Sequence, residues 1–104
     1  MRGDVFRLKA PKDARGHEQQ GQRYAVIVGS DDLPLSTLLI CPTSTSVRPT
    51  VFRPEIEIDG KSTYVLVEQV TAVDPSRLGS AVGHVMTAEL QAIDEALLLV
   101  FGLD

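Results

Sequence analysis

Tyr24-Ala25-Val26-Ile27-Val28 is an unbroken run of β-favouring residues with no alternation of apolar and polar side chains. A strand without a polar face must be covered on both sides, so this run belongs at the centre of a sheet. On its N-terminal side lies a polar stretch, residues 10–22, punctuated by Pro11, Gly16 and Gly21. A loop of 13 residues inside a compact fold is unusual, and such loops are often functional. Before it, residues 4–9 alternate as a half-buried strand does, with Phe6 and Leu8 set against Val5, Arg7 and Lys9.

Downstream, Gly29-Ser30-Asp31-Asp32-Leu33-Pro34 is a turn, and residues 36–41 form a second buried strand that Pro42 is expected to stop. A polar stretch, Thr43-Ser44-Thr45-Ser46, precedes Val47-Arg48-Pro49. Residues 50–58 alternate again, with Pro54 marking an edge position or a bulge. Asp59-Gly60 is a hairpin signal, and residues 62–70 return as a strand. Asp74-Pro75-Ser76-Arg77 reads as a turn or a short 3₁₀ segment, and residues 78–85 as one more strand loosened by Gly79 and Gly83. The C-terminal pattern differs. Thr87 stands as the N-cap of a helix whose stripe is Leu90, Ile93, Leu97 and Val100, widened by Ala96 and Phe101 and stopped at Gly102. Five to seven short strands and one terminal helix make a strongly bent sheet or small barrel closed by a helix. No repeat or linker divides residues 1–104, so one domain is expected.

The composition excludes several classes. With one cysteine, Cys41, there is neither an intrachain disulfide nor a cysteine-based zinc site. The longest nearly apolar run, residues 96–101, is far shorter than the ~20 residues of a membrane span, and Met1-Arg2-Gly3-Asp4-Val5 is no signal sequence. A reduced, cytoplasmic protein without a membrane partner is expected. The net charge of −4 argues against a general nucleic-acid coat, yet it is unevenly spread. Residues 1–24 carry six basic and three acidic side chains, and residues 25–104 carry four and eleven. A basic quarter on an acidic body suits local contact with phosphates, and ordinary surface charge is the plainer alternative. Cys41 and Met86 are expected in the core, and Tyr24 and Tyr64 in packing rather than base stacking.

No Walker loop, dinucleotide fingerprint, nucleophile elbow or zinc-protease motif is present. Polar density concentrates instead at two loop–strand junctions, Gly16-His17-Glu18-Gln19-Gln20-Gly21-Gln22-Arg23 and Pro42-Thr43-Ser44-Thr45-Ser46-Val47-Arg48. These segments resemble the MazF/PemK family of toxin endoribonucleases. The first is similar to the family's Gly-Ser-Glu-Gln-x-Gly-x-Arg-Pro-x-Val-Val-Val, and Cys41-Pro42-Thr43-Ser44 falls where the family has Pro-Ile-Thr-Ser/Thr. Arg2-Gly3-Asp4-Val5-Phe6 looks like its first strand. Glu68-Gln69-Val70-Thr71-Ala72-Val73-Asp74 with Arg77-Leu78 resembles its Gln-Ile-x-x-Ile-Asp-x-x-Arg-Leu. Residues 83–103 resemble its C-terminal helix, so the likeness runs through the whole chain in order. Two departures stand out. The family's Arg-Pro is Arg23-Tyr24 here, and its threonine aligns with Ser44, or with Thr45 after a one-residue slip.

The resemblance implies a mainly β fold with a C-terminal helix, an SH3-like small barrel of the CcdB/MazF/PemK type. It implies metal-independent, sequence-specific cleavage of single-stranded RNA by attack of the 2′-OH, leaving 2′,3′-cyclic phosphate and 5′-OH ends. No cofactor or metal is implied. Such a reaction needs stabilisation of a dianionic phosphorane, a proton acceptor and a proton donor. The catalytic set carried over is Arg23, Ser44, Glu18 and Thr45. Arg23 suits the phosphorane, because a guanidinium is a planar, permanent cation and a poor base. Ser44 or Thr45 donates a neutral hydrogen bond, and Glu18 accepts the 2′-OH proton or holds Arg23 in place. His17, Gln19, Gln22 and Arg48 are the RNA-binding set, His17 being also a possible acid or base because imidazole titrates near neutrality. The plainer readings are a surface Arg23–Glu18 ion pair, a polar turn at residues 43–46, a bystander His17 and a solvated Arg48. A homodimer and a cognate antitoxin with an acidic, disordered tail are further implications. Two other functions stay open: a non-enzymatic toxin of this fold that binds DNA gyrase, as CcdB does, and a catalytically inactive interaction module.

Overall fold

The structure, a computed structural model, describes residues 1–9 and 23–103. Seven strands and one helix follow in order: β1 (Asp4–Leu8), β2 (Tyr24–Ile27), β3 (Leu38–Ser44), β4 (Glu55–Ile58), β5 (Lys61–Val65), β6 (Thr71–Val73), β7 (Leu78–His84) and α1 (Thr87–Phe101). They form one antiparallel, curled sheet in the order β4-β5-β3-β2-β1-β7, with β6 also paired to β3. The mainly β fold with a C-terminal helix is as expected.

The sheet has a core on each face. On one, Val5, Val26, Cys41, Ile56 and Val65 pack with Ile93 and Ala96 of α1. On the other, Ala25, Ile27, Ile40 and Val73 pack with Phe6, Leu8, Leu38 and Leu78. The β2 strand contributes alternate residues to both, which is why its sequence shows no polar face.

Pro42 does not stop β3, which runs on to Ser44. The register sets Ala25 opposite Pro42 on the β2 side. On its other side, β3 pairs with β6 at residues 38–40 and with β5 at 43–44. Pro42 falls in the gap between those partners, where a missing N–H costs no ladder bond, while its carbonyl accepts from Leu66 N–H at 2.8 Å. Pro54 likewise sits just outside a strand. The β4 strand begins after it, so the alternation at residues 50–53 belongs to a turn, and the Pro54 carbonyl accepts from Val65 N–H at 2.9 Å. The strand expected at 62–70 ends at Val65 in β5 and gives way to a 3₁₀ turn at Val67–Gln69, with β6 beginning beyond it. The apolar stretch Tyr64-Val65-Leu66-Val67 hid that break, since Leu66 and Val67 are buried although they are no longer in the strand.

Asp59 and Gly60, with φ of 52° and 78°, close the β4–β5 hairpin in the left-handed conformation that the Asp-Gly pair favours. The 3₁₀ turn at Pro75–Arg77 is capped by Asp74, whose Oδ1 accepts from Ser76 N–H at 2.9 Å. The cap of α1 is Met86 rather than Thr87, with Glu89 Oε1 accepting from Met86 N–H at 2.7 Å. Met86 is consequently 70% exposed and not in the core, whereas Cys41 is fully buried. The helix stops at Gly102, φ 68°. Of its stripe, Ile93 and Ala96 are buried and Leu90 and Leu97 pack against the core, but Val100 and Phe101 are exposed, as are Leu98 and Leu99 outside the stripe.

The opening Arg2-Gly3-Asp4 is structural. Arg2 pairs with Asp94 of α1 and donates from Nε to the Val28 carbonyl at 2.9 Å. Gly3 holds φ 89° with its N–H on the Ile27 carbonyl, and a Cβ there would come within 2.9 Å of the His84 ring. Asp4 Oδ1 lies 2.8 Å from His84 Nδ1. Together these contacts tie the first strand to β7 and to the helix.

Candidate active site

The β2–β3 register ends with Ala25 opposite Pro42, and beyond that pair Tyr24 and Arg23 both reach Thr43. Tyr24 N–H donates to Thr43 Oγ1 at 3.2 Å, and Arg23 Nε donates to the Thr43 carbonyl at 3.2 Å. The guanidinium is therefore fixed against the peptide that leads into Ser44. Its Nη groups find no partner among the described residues, and Arg23 is exposed. Ser44 is half-buried, and its Oγ accepts from Ser46 N–H at 3.1 Å. That bond uses a lone pair and leaves the hydroxyl hydrogen to be donated. The fully buried Thr43 spends its hydroxyl on the ladder.

Strand alternation separates the two candidate hydroxyls. Ser44 is on the strand face opposite Thr43, next to the peptide that Arg23 holds. Thr45 continues the face of Thr43 and Tyr24 and lines a separate hollow with Arg7 and Lys61. Arg48 is exposed in the turn that follows, and only its carbonyl is engaged, by Arg53 Nη1 at 3.4 Å. His17, Glu18, Gln19 and Gln22 lie outside the described residues, in the segment that joins β1 to β2 and enters β2 at Arg23. Tyr24 packs against the helix-side core, as expected, and Arg7 lies over its ring at 5.8 Å.

The sequence alone did not single out the pair that anchors the 48–53 turn. Arg53 Nε and Nη2 both donate to Glu68 Oε2, at 2.9 and 2.7 Å, while Glu68 Oε1 is buried without a partner. Burial pushes the Glu68 carboxyl up. Hydrogen bonds from Arg53 and from its own backbone N–H, with the Arg53 charge, outweigh that and hold it below its ordinary range. The same burial, helped by the Glu68 charge, pushes the Cys41 thiol up to about 12. Alternation around Arg53 gives no hint of this pair, since it joins a turn to a 3₁₀ segment 15 residues away.

Among the described residues no three His, Cys, Asp or Glu side chains come together as a metal site would need, and no helix is long and apolar enough to cross a membrane. What the β2–β3 end presents is one permanent cation, held on the Thr43 carbonyl, and the hydroxyl of the next residue, Ser44; groups of these kinds are suited to gripping the oxygens of a phosphate.

That geometry is a small curled sheet with an arginine held against one strand end. Residues 1–101 match the model of the PemK-like, MazF-like toxins of type II toxin–antitoxin systems, and the chain belongs to that family. A candidate toxin of Mycobacterium tuberculosis is 36% identical over 104 residues, covering 99% of this chain and 98% of its own. The fold is shared with an endoribonuclease from a mycobacterial species solved in complex with its cognate antitoxin, at TM-score 0.80 and 20% identity, over 100% of this chain and 96% of that one. The toxin MazF-mt6 of Mycobacterium tuberculosis gives TM-score 0.76 at 16% identity, over 97% and 98% of the two chains. MazF of Deinococcus radiodurans gives 0.75 at 21%, over 97% and 94%.

Proposed function

We propose that this protein, as a single toxin domain in the cytoplasm, cleaves single-stranded RNA at a short sequence without a metal ion. The observation that supports this reading most is the Arg23 guanidinium held on the Thr43 carbonyl, the peptide that leads into Ser44, at the β2–β3 end. The 2′-oxygen forms a bond to the adjacent phosphorus as the bond to the 5′-oxygen breaks, leaving a 2′,3′-cyclic phosphate and a 5′-OH. The Arg23 guanidinium and the Ser44 hydroxyl hold the two non-bridging oxygens as negative charge builds on them, in a geometry set before substrate arrives. The 2′-OH proton passes to Glu18 or His17, carried on the segment that leads into Arg23. A proton returns to the 5′-oxygen from the protonated member of the same set. Thr45, on the opposite face, binds rather than catalyses, and Gln19, Gln22 and Arg48 hold the RNA chain on either side.

Two copies assemble through the exposed end of α1, where Leu98 and Leu99 are exposed and Phe101 lines an apolar hollow of about 360 Å³ with Val28, Leu39, Val70 and Leu97. A cognate antitoxin with an acidic, disordered tail silences the toxin by occupying the cations that RNA would use.

The test is to incubate the purified protein in EDTA with a long single-stranded RNA and map the ends, with Arg23→Ala alongside. Discrete cuts bearing cyclic phosphates are expected, and Arg23→Ala is expected to slow them by at least a hundredfold. Intact RNA, under conditions where the protein still arrests growth, sinks the nuclease reading.

A further inference from the structure

The helix-side face of the sheet changes character along the strands. Following inward-facing positions away from α1, Val5 gives way to Arg7, Val26 to Tyr24, Cys41 to Thr43 and Thr45, and Val65 to Thr63 and Lys61. Four neighbouring strands make this switch at the same end, where the β4–β5 hairpin curls over β1 and β2. The result is a cup of about 300 Å³ that opens to solvent. That volume lies at the small end of ligand sites and matches one nucleotide-sized guest.

The walls have a specific chemistry. Arg7 lies over the Tyr24 ring at 5.8 Å, so a planar cation and an aromatic ring stand together on one wall. Unpaired bases are held on such groups. Thr45 offers a hydroxyl opposite, and Lys61 adds a second cation at the rim. Asp59 is the one carboxylate of the lining among the described residues, held at the hairpin tip in the left-handed conformation. Because Tyr24, Thr43 and Thr45 alternate with Arg23 and Ser44 along the same two strands, the cup lies just across the strand ends from the latter two residues.

We infer that this cup receives one unpaired base of the RNA next to the scissile phosphate, and so sets one position of the cleavage sequence. The inference rests on the nuclease reading above for its biological meaning, but not for its binding chemistry. The Arg7 guanidinium, backed by the Tyr24 ring, supplies the stacking plane, Lys61 the neighbouring phosphate, and Asp59 an acceptor for an exocyclic amino group. Cytosine, adenine and guanine carry that amino group and uracil does not, so uracil is the base refused. Tyr24 stands where the family pattern has proline, which makes the stacking wall a feature of this chain.

The experiment maps cut sites in a randomised RNA pool for the wild type, Asp59→Asn and Lys61→Ala. Both altered residues are exposed, and asparagine tolerates the left-handed turn, so folding is preserved. In the wild type, one position beside the cut is expected to disfavour uracil. Asp59→Asn should weaken that discrimination by about tenfold or more. Lys61→Ala should weaken binding of all sequences alike and lower the salt slope by about one. Unchanged base preference at every position in Asp59→Asn, with cutting retained, overturns the inference.

If the wild type cuts no RNA, the nuclease reading fails, and the cup is judged by binding alone. Cytidine, adenosine, guanosine and uridine 5′-monophosphates are titrated into isotope-labelled protein while the amides of Thr45 and residues 61–63 are followed. Shifts there with the first three, weaker with uridine and lost in Lys61→Ala, support a base site. No localised shift with any of them overturns it.

Discussion

Replacing Arg53 by alanine strands a carboxylate. Glu68 Oε2 loses both of its Arg53 donors, Oε1 is already buried without a side-chain partner among the described residues, and the carboxyl keeps only the bond from its own backbone N–H. Exposed ion pairs are worth about 0.2–1 kcal/mol, and breaking a fully buried one costs roughly 3–5 kcal/mol. The Arg53 and Glu68 side chains are 24% and 27% exposed, so a loss of about 2 kcal/mol is expected. At about 2.1 cal/mol/K of unfolding entropy per residue, that loss lowers Tm by roughly 9 °C for a chain of 104 residues. The sign with pH follows from the depressed Glu68 value. Its contribution is complete above the unfolded carboxyl range, about 4.3, and is lost as pH falls through the lower folded value. The gap between wild type and Arg53→Ala is therefore widest near neutral pH and closes in acid. Adding Glu68→Gln to Arg53→Ala removes the stranded charge and recovers part of the loss. Thermal melts by circular dichroism at neutral pH and near pH 3 read all of this. A Tm change below roughly 2 °C at neutral pH, or an equal loss at both pH values, would refute the reasoning.

Three other expectations follow from the same contacts. Cys41 is fully buried with its thiol pushed up to about 12, so iodoacetamide at pH 8 should label it only at the rate of unfolding; rapid labelling of the native protein would contradict its placement. Arg2→Ala removes the Asp94 pair and the bond to the Val28 carbonyl, and with both charged groups partly exposed the loss should be about 1 kcal/mol, seen as a Tm lower by roughly 5 °C. An unchanged melt would show that the N-terminal tie carries no stability. Phe101→Glu places a charge on the exposed end of α1, 58% exposed in the single chain. Sedimentation should show dimer giving way to monomer with Tm little changed, and a dimer that persists would move the interface elsewhere.

Much of this architecture was legible in the residues, for local reasons. The both-faced apolar run at 24–28, the Asp59-Gly60 turn, the Asp74 cap and the Gly102 stop each act within a few residues of themselves. The errors arose where distant parts decide. Pro42 is tolerated because two different strands abut β3 on either side of it, which no local pattern records. Leu66, Val67 and Val70 are apolar residues that suit a strand, and nothing local marks the 3₁₀ turn at Val67–Gln69. Met86 is apolar but caps the helix, because Glu89 reaches back to its N–H. At the candidate site, the neighbouring positions of Arg23 and Ser44 came from alignment, while the hold of Arg23 on the Thr43 carbonyl needed the structure. The cup was present as parity, with Arg7 and Tyr24 on inward positions, yet an inward arginine looks like an interruption until four strands show the same change.

The sheet thus keeps its apolar packing at one end and its chemically varied side chains at the other, on the same strands. A substitution at Thr45, Lys61 or Asp59 touches none of the side chains that meet α1, so the recognition end can change with little cost to folding. In evolutionary terms the two ends are free to drift at different rates. The retention of this fold at 16–21% identity is the divergence such a partition permits.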